Sequence, residues 1–305
     1  MFLLVHLSFT LIMTTTVRTR TYREIFLLKI GIPFFIGFTF LGIILDRYGF
    51  KDLSSRATKF NDFTIYVIII GAVLLAPILE ELAFRGIFTG KRYLKWITYI
   101  GISLFIVGDE NYYLFPLLGV LIVLFESKSK PKSQLIRYSY FVNALLFSLM
   151  HYRISDLTHI FAYSNILGTF GLGLVLIWLV LNFGLWASIL LHFCINFSLL
   201  TIGVVDYETS IVALKKVETS EFVMFYEKVS LFEKQQTINV DGFNNINSTN
   251  VSISDINKML CPNSKLKDVY FGKFNITIQR KIGKGKQLDC QSFQELLSKS
   301  RISEE

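Results

Sequence analysis

The stretch Ile78-Leu79-Glu80-Glu81-Leu82-Ala83-Phe84-Arg85-Gly86 places two adjacent carboxylates at the end of an apolar run. Residues 64–79 before them carry no charged side chain, so the carboxylates and Arg85 are predicted to lie inside a membrane-spanning helix. A charge at the centre of a bilayer costs about 2.5–3.5 kcal/mol on insertion scales, and such residues usually have a function. This stretch therefore predicts a membrane helix bundle and chemistry carried out within the bilayer.

The composition of the whole chain is typical of a polytopic membrane protein. Of its 305 residues, 52% are hydrophobic and 29 are phenylalanine, which is unusual for a soluble domain. Most of the net charge of +8 lies in the first two thirds of the chain, where basic loops report membrane orientation and contact with anionic lipid. We therefore expect the lipid bilayer as a partner and no nucleic acid, while the oligomeric state stays unknown.

Uncharged segments predict seven transmembrane helices, or eight if the N-terminal residues 1–17 also cross the membrane. The segments are 30–45, 64–79 with a charged extension to 88, 96–108, 111–125, 138–150, and a stretch from 157 to 205 that is long enough for two helices. A helix needs about 20 residues to cross the hydrocarbon core, and fewer when flanking side chains snorkel. The predicted fold class is thus an all-α polytopic membrane protein with a small soluble C-terminal region.

The last hundred residues are much more highly charged than the rest and predict a soluble region of mixed α/β character. Strand-like runs occur at 237–240 and 273–278, and helix-like runs occur at 254–260 and 292–297. Under the span count above, the bias of basic loops places this region outside the cytoplasm. Cys261 and Cys290 could form a disulfide only in such a location.

Helical geometry separates the roles of the two adjacent carboxylates. Glu81 and Arg85 are four residues apart, so they share a helix face and can pair. Glu80 lies about 100° around the helix, and the residue four positions after it is the apolar Phe84. We therefore assign Glu81 and Arg85 to structural support and Glu80 to general base catalysis.

Two later segments add polar side chains at a comparable depth. Phe147 and His151 are one helical turn apart at the end of one predicted span. His192 and Asn196 have the same spacing inside the last span. With a rise of 1.5 Å per residue, the three helices can bring Glu80 and both histidines together near the middle of the membrane.

These three motifs, in this order on apolar helices, resemble those of the CPBP intramembrane proteases, the group that includes CAAX proteases. The resemblance covers roughly residues 64–205 and implies an intramembrane endopeptidase. It implies that Glu80 and His151 activate the attacking water, that His192 and Asn196 stabilise the oxyanion, and that Glu81, Arg85 and Phe147 support them. The predicted domains are N-terminal transmembrane segments (1–63), the protease core (64–205) and the soluble region (206–305).

One feature departs from the family pattern. The family usually has one short loop and half a helix between its first two motifs, whereas here an extra hairpin at about 96–125 intervenes. The composition is typical of a bacterial protein, which indicates a bacterial cytoplasmic membrane, and most bacteria lack prenylated CAAX proteins. The expected substrate is therefore another membrane-associated protein or peptide.

Three alternatives remain open at this level. The family is often described as metalloproteases, and Glu80 or Glu81, His151 and His192 form an N/O set that suits zinc. However, the HExxH motif of zincins is absent, so we favour a glutamate mechanism with no cofactor. The chain could instead be a non-proteolytic scaffold, such as a maturation or bacteriocin-immunity factor, or an ion-coupled transporter.

Overall fold

The computed structural model describes residues 23–47, 64–127, 132–158, 160–209, 214–233, 236–241, 245–262, 272–281 and 287–300. The chain forms two compact units, Met1–Ser54 with Gly71–Ser198 and Ser55–Ile70 with Leu199–Glu305. The N-terminal segment 1–17 that could add an eighth span lies outside the described residues. The division into 1–63, 64–205 and 206–305 stays a prediction.

The first two thirds of the chain are helical. The α-helices are α1 (Phe26–Arg47), α2 (Ile65–Ile68), α3 (Ala76–Arg85), α4 (Arg92–Gly108), α5 (Phe115–Glu126), α6 (Lys132–Leu149), α7 (Ile160–Phe183) and α8 (Leu185–Thr209). A π-helix, Ile69–Leu75, joins α2 to α3, and short 3-10 turns cover Gly86–Thr89, Tyr112–Leu114 and Asp156–Thr158.

Four helices in the described part are long and apolar enough to cross a membrane. They are Phe26–Leu45, Ile65–Thr89, Ala162–Phe183 and Leu185–Thr209. The prediction of a membrane-type helical region is thus confirmed, whereas seven or eight spans are not shown. The helix that contains Tyr112–Glu126 is apolar but shorter.

Proline explains the π-helix that precedes the carboxylate pair. Pro77 stands near the start of α3, has no backbone N–H, and its ring collides with the carbonyl four residues earlier in a regular α-helix. The wider π-helix ends two residues before it, at Leu75. In the i to i+5 pattern of a π-helix, the carbonyl of Ala72 would need the N–H that Pro77 lacks. That carbonyl must therefore find another donor.

Helix α7 is the central helix of the first unit. Its residues Leu174, Leu176 and Ile177 are fully buried, and it packs against both α1 and α6. A methyl group on Gly171 would collide with the backbone nitrogen of Phe35 in α1. The two backbones can approach this closely only because glycine stands at the crossing, a common device in membrane helix pairs.

The second unit contains a five-stranded antiparallel sheet in the order β1-β2-β5-β4-β3. The strands are β1 (Lys215–Glu218), β2 (Phe222–Val229), β3 (Thr237–Asp241), β4 (Asn245–Val251) and β5 (Lys273–Arg280), and the helices are α9 (Ile253–Leu260) and α10 (Cys290–Ser300). Alternate residues of the inner strands fill a core with both helices: Phe222, Met224, Tyr226, Ile246, Phe274, Ile276, Ile278, Phe293 and Leu296. This arrangement confirms the predicted mixed α/β character.

Local signals place the ends of these helices. Ser252 and Asp255 form a capping box, in which each side chain accepts from the other's backbone N–H at the start of α9, so two otherwise unpaired donors are satisfied. Cys261 at the end of α9 and Cys290 at the start of α10 form a disulfide, with their Cα atoms 5.0 Å apart.

Candidate active site

Three separate helical segments bring the predicted catalytic side chains together. Glu80 lies on α3, His151 lies two residues after the end of α6, and His192 lies in α8. Glu80 Oε2 is 4.0 Å from Nε2 of His151 and 3.8 Å from Nε2 of His192. Glu80 and His192 are 112 positions apart in the chain. The fold thus brings distant residues to the edge of one small space.

Glu81 lies at the centre of a buried network behind that space. Its Oε1 is 3.3 Å from Nη1 of Arg85 and 2.9 Å from Nδ1 of His192. The Ser188 hydroxyl donates a hydrogen bond to its Oε2. Glu81, Arg85 and Ser188 have no exposed surface, and His192 is 4% exposed. Buried charges are tolerated when they are paired and hydrogen-bonded, so Glu81 holds both a neighbouring cation and a site histidine in place.

The aromatic ring of Phe147 packs against several members of the site. The guanidinium of Arg85 lies 3.8 Å from the centre of this ring, within the range of a cation–π interaction. The rings of His151 and His192 meet it edge to face, with centroids 5.0 and 5.8 Å away. A single side chain on α6 therefore sets the position of three polar groups.

The hydrogen bonds of the two histidines define which nitrogen faces the site. Nδ1 of His151 lies 2.7 Å from the carbonyl oxygen of Phe147. A carbonyl can only accept, so this nitrogen carries the proton and Nε2 is left facing Glu80. Nδ1 of His192 likewise faces the carboxylate of Glu81, which leaves its Nε2 on the same side as Glu80.

Asn196 is held by the carbonyl that the proline leaves without a helical donor. Its Nδ2 donates to the carbonyl oxygen of Ala72 over 2.9 Å. Because a side-chain amide has two N–H donors, one remains after this bond is made. Pro77 therefore creates the acceptor that orients Asn196.

A hydrogen bond from a side chain to a backbone carbonyl also connects two of the helices that carry the motifs. Asn143 in α6 is fully buried and donates from Nδ2 to the carbonyl oxygen of Phe84 over 2.7 Å. This bond joins α6 to the last turn of α3, next to Arg85. It fixes the spacing between the helix that carries Glu80 and the helix that leads to His151.

Sequence reasoning missed Ser188 and the partner of Asn196. The first had a detectable signal, because Ser188, His192 and Asn196 follow one another at intervals of four residues and so share one face of α8. The partner of Asn196 had no detectable signal in the sequence, since Asn196 bonds to a main-chain carbonyl on another helix.

The candidate zinc ligands are spaced more widely than in a formed zinc site. Among the residues that the structure describes, no three His, Cys, Asp or Glu side chains are arranged to hold a metal ion. Glu80 Oε2 lies 3.8 and 4.0 Å from the histidine nitrogens, whereas two ligands bound to one tetrahedral zinc ion at about 2.0–2.2 Å lie about 3.3–3.6 Å apart.

Comparison with known proteins places the part of the chain that carries these residues in a family. Residues 62–198 match the family model described as type II CAAX prenyl endopeptidase, Rce1-like. This part of the chain is therefore a domain of the Rce1-like CAAX endopeptidase (CPBP) family. No curated protein and no solved structure matches the chain.

Proposed function

We propose that this protein is an intramembrane endopeptidase in which Glu80 and His151 activate a water molecule. The observation that carries the proposal is the approach of the Glu80 carboxylate to the Nε2 atoms of His151 and His192 within a CAAX endopeptidase family domain. A water between Glu80 and His151 meets two acceptors, so its protons are directed at them and its lone pair is available for attack.

The reaction then follows from the positions of the proton acceptors and donors. Glu80 takes a proton from the water, and the resulting hydroxide attacks the carbonyl carbon of the scissile peptide bond. The carbonyl oxygen becomes an oxyanion. When the tetrahedral intermediate collapses, the carbon–nitrogen bond breaks, and Glu80 returns the proton to the leaving amine.

His192 and Asn196 are suited to stabilise the oxyanion. Nε2 of His192 lies on the side of Glu80, 3.8 Å from its Oε2, while Nδ1 faces Glu81. An N–H from Nε2 and the second amide N–H of Asn196 are the kind of donors that form an oxyanion hole.

The location and substrate follow from the apolar helices. The four candidate spans support an integral membrane protein, and we propose that the shorter apolar helices also enter the bilayer to give the predicted seven or eight spans. A site within this bundle would act on a peptide bond of a membrane-associated protein or peptide. We propose a bacterial cytoplasmic membrane as the setting, from composition alone.

The decisive test replaces Glu80 by glutamine and compares protein N-termini in the membrane fraction with those of wild type. We expect cleavage products to disappear in Glu80→Gln and to persist in the matched control Glu126→Gln. The control carboxylate bonds to Lys95 and Tyr99 and has no part in the proposed reaction. Unchanged cleavage products in a folded Glu80→Gln protein would refute the proposed protease function and favour the alternative of a non-proteolytic scaffold.

A further inference from the structure

The turn between α4 and α5 reaches the backbone around His151. Asn111 is 2% exposed and donates from Nδ2 to the carbonyl oxygen of Met150 over 3.0 Å. The Tyr113 hydroxyl lies 2.7 Å from the carbonyl oxygen of Tyr152 and 3.2 Å from that of Leu149. The two side chains thus contact three carbonyls within the segment 149–152, which contains His151.

These carbonyls lie at the end of α6 and just beyond it. The helix ends at Leu149, whose carbonyl also accepts from the N–H of Tyr152 over 3.0 Å, and Met150 and Tyr152 follow the last helical residue, where regular helical hydrogen bonds stop. In a protein interior or a bilayer, an unpaired carbonyl is costly. The side-chain donors come from the turn between α4 and α5, so the end of α6 is capped by residues distant in sequence.

The backbone of the donor turn is set for this contact. Glu110 adopts φ 58°, in the left-handed region that non-glycine residues rarely occupy. The chain thereby reverses sharply after α4, and Asn111 N–H bonds back to the carbonyl of Ile106 over 2.9 Å. The reversal leaves the Asn111 side chain aimed at α6, although the hairpin carries none of the three protease motifs.

We infer that Asn111 and Tyr113 are positioning residues for His151. They fix the turn 149–152, and this turn fixes the imidazole against the Phe147 carbonyl, so that Nε2 faces Glu80. The inference rests on the catalytic role proposed for His151. It assigns to the extra hairpin a direct part in assembling the active site.

The first test uses Tyr113→Phe, which removes only the hydroxyl and keeps the ring. It measures turnover of a peptide that spans a cleavage site lost in Glu80→Gln. Small displacements of a catalytic group can reduce rates by up to about 100-fold. We expect kcat to fall by about 10-fold in this variant and by about 100-fold in Asn111→Ala/Tyr113→Phe, with little change in KM. The matched control is Tyr112→Phe, since Tyr112 is 56% exposed. Equal kcat in the Tyr112 and Tyr113 variants would overturn the inference.

The second test observes the His151 tautomer and needs no substrate. The chain has four histidines, so ¹⁵N-histidine spectra of the full-length protein in lipid can be assigned with His151→Gln. We expect one Nδ1–H tautomer at His151 in wild type and in Tyr112→Phe, and a mixture in Tyr113→Phe and the double variant. An unchanged tautomer in the double variant would overturn the inference.

The two proposals fail in distinguishable ways. If Glu80→Gln loses no cleavage product while the His151 tautomer still depends on Tyr113, the protease is refuted but the positioning contact stands. If Glu80→Gln abolishes cleavage while both hairpin variants retain wild-type kcat and tautomer, the protease stands and the positioning role is refuted.

Discussion

Replacing Arg85 by methionine tests the buried network directly. The ion pair between Arg85 and Glu81 is 3.3 Å long with both side chains fully buried. Two unit charges at this distance interact by about 5 kcal/mol at an effective dielectric constant of about 20. Removing one partner of a buried pair typically costs about 3–5 kcal/mol, because the other charge stays buried without it. We therefore expect Arg85→Met to lose about 3–5 kcal/mol in free energy of unfolding.

The assay is equilibrium unfolding in mixed micelles with increasing SDS, followed by helical circular dichroism. Arg137→Met is a closely matched control, because Arg137 pairs with Glu24 at 3.2 Å but has a side chain that is 57% exposed. Exposed pairs contribute about 0–1 kcal/mol. If the two variants lose the same free energy of unfolding, burial does not strengthen the ion pair between Arg85 and Glu81. The stabilising role of the buried network is then refuted.

Two further predictions concern the proline and the disulfide. Pro77→Ala restores a backbone N–H that competes with Asn196 for the carbonyl of Ala72, so we expect kcat to fall by about 10-fold without loss of stability. The control Pro116→Ala, at the start of another helix, should keep wild-type kcat. Equal rates in both variants would contradict the role of the proline. Reducing the bond between Cys261 and Cys290, whose sequence separation is 29, should lower the free energy of unfolding of the second unit by about 3–4 kcal/mol, measured by unfolding of the intact chain before and after reductant. Coincident unfolding curves would show that the bond adds no stability.

The three motifs could be found from the sequence because each is local. Spacings of four residues on one helix put Glu81 beside Arg85 and His192 beside Asn196, whatever the rest of the fold does. The depth of each polar group in the membrane is predicted from the length of the apolar segment before it, and it stays a prediction. The strand-like and helix-like runs of the last hundred residues were likewise confirmed, because alternation and helical periodicity are local patterns.

The contacts between helices could not be found in this way. Asn111 and Tyr113 bond to main-chain carbonyls 36 to 39 positions away, and every residue offers the same carbonyl group. The link between Asn196 and Ala72 spans 124 positions. Such contacts depend on the packing of whole helices, which one sequence specifies only globally. The order of the five strands could not be predicted either, because strand pairing also depends on residues that are distant in the sequence.

The bond between Cys261 and Cys290 has a consequence for biosynthesis. Disulfides form and persist where the surroundings are oxidising, and they are rare in the cytosol. The bond therefore favours the predicted position of the segment after α8, outside the cytoplasm. In that position, the chain that follows the helix with His192 and Asn196 has to cross the membrane during biosynthesis before the bond can form.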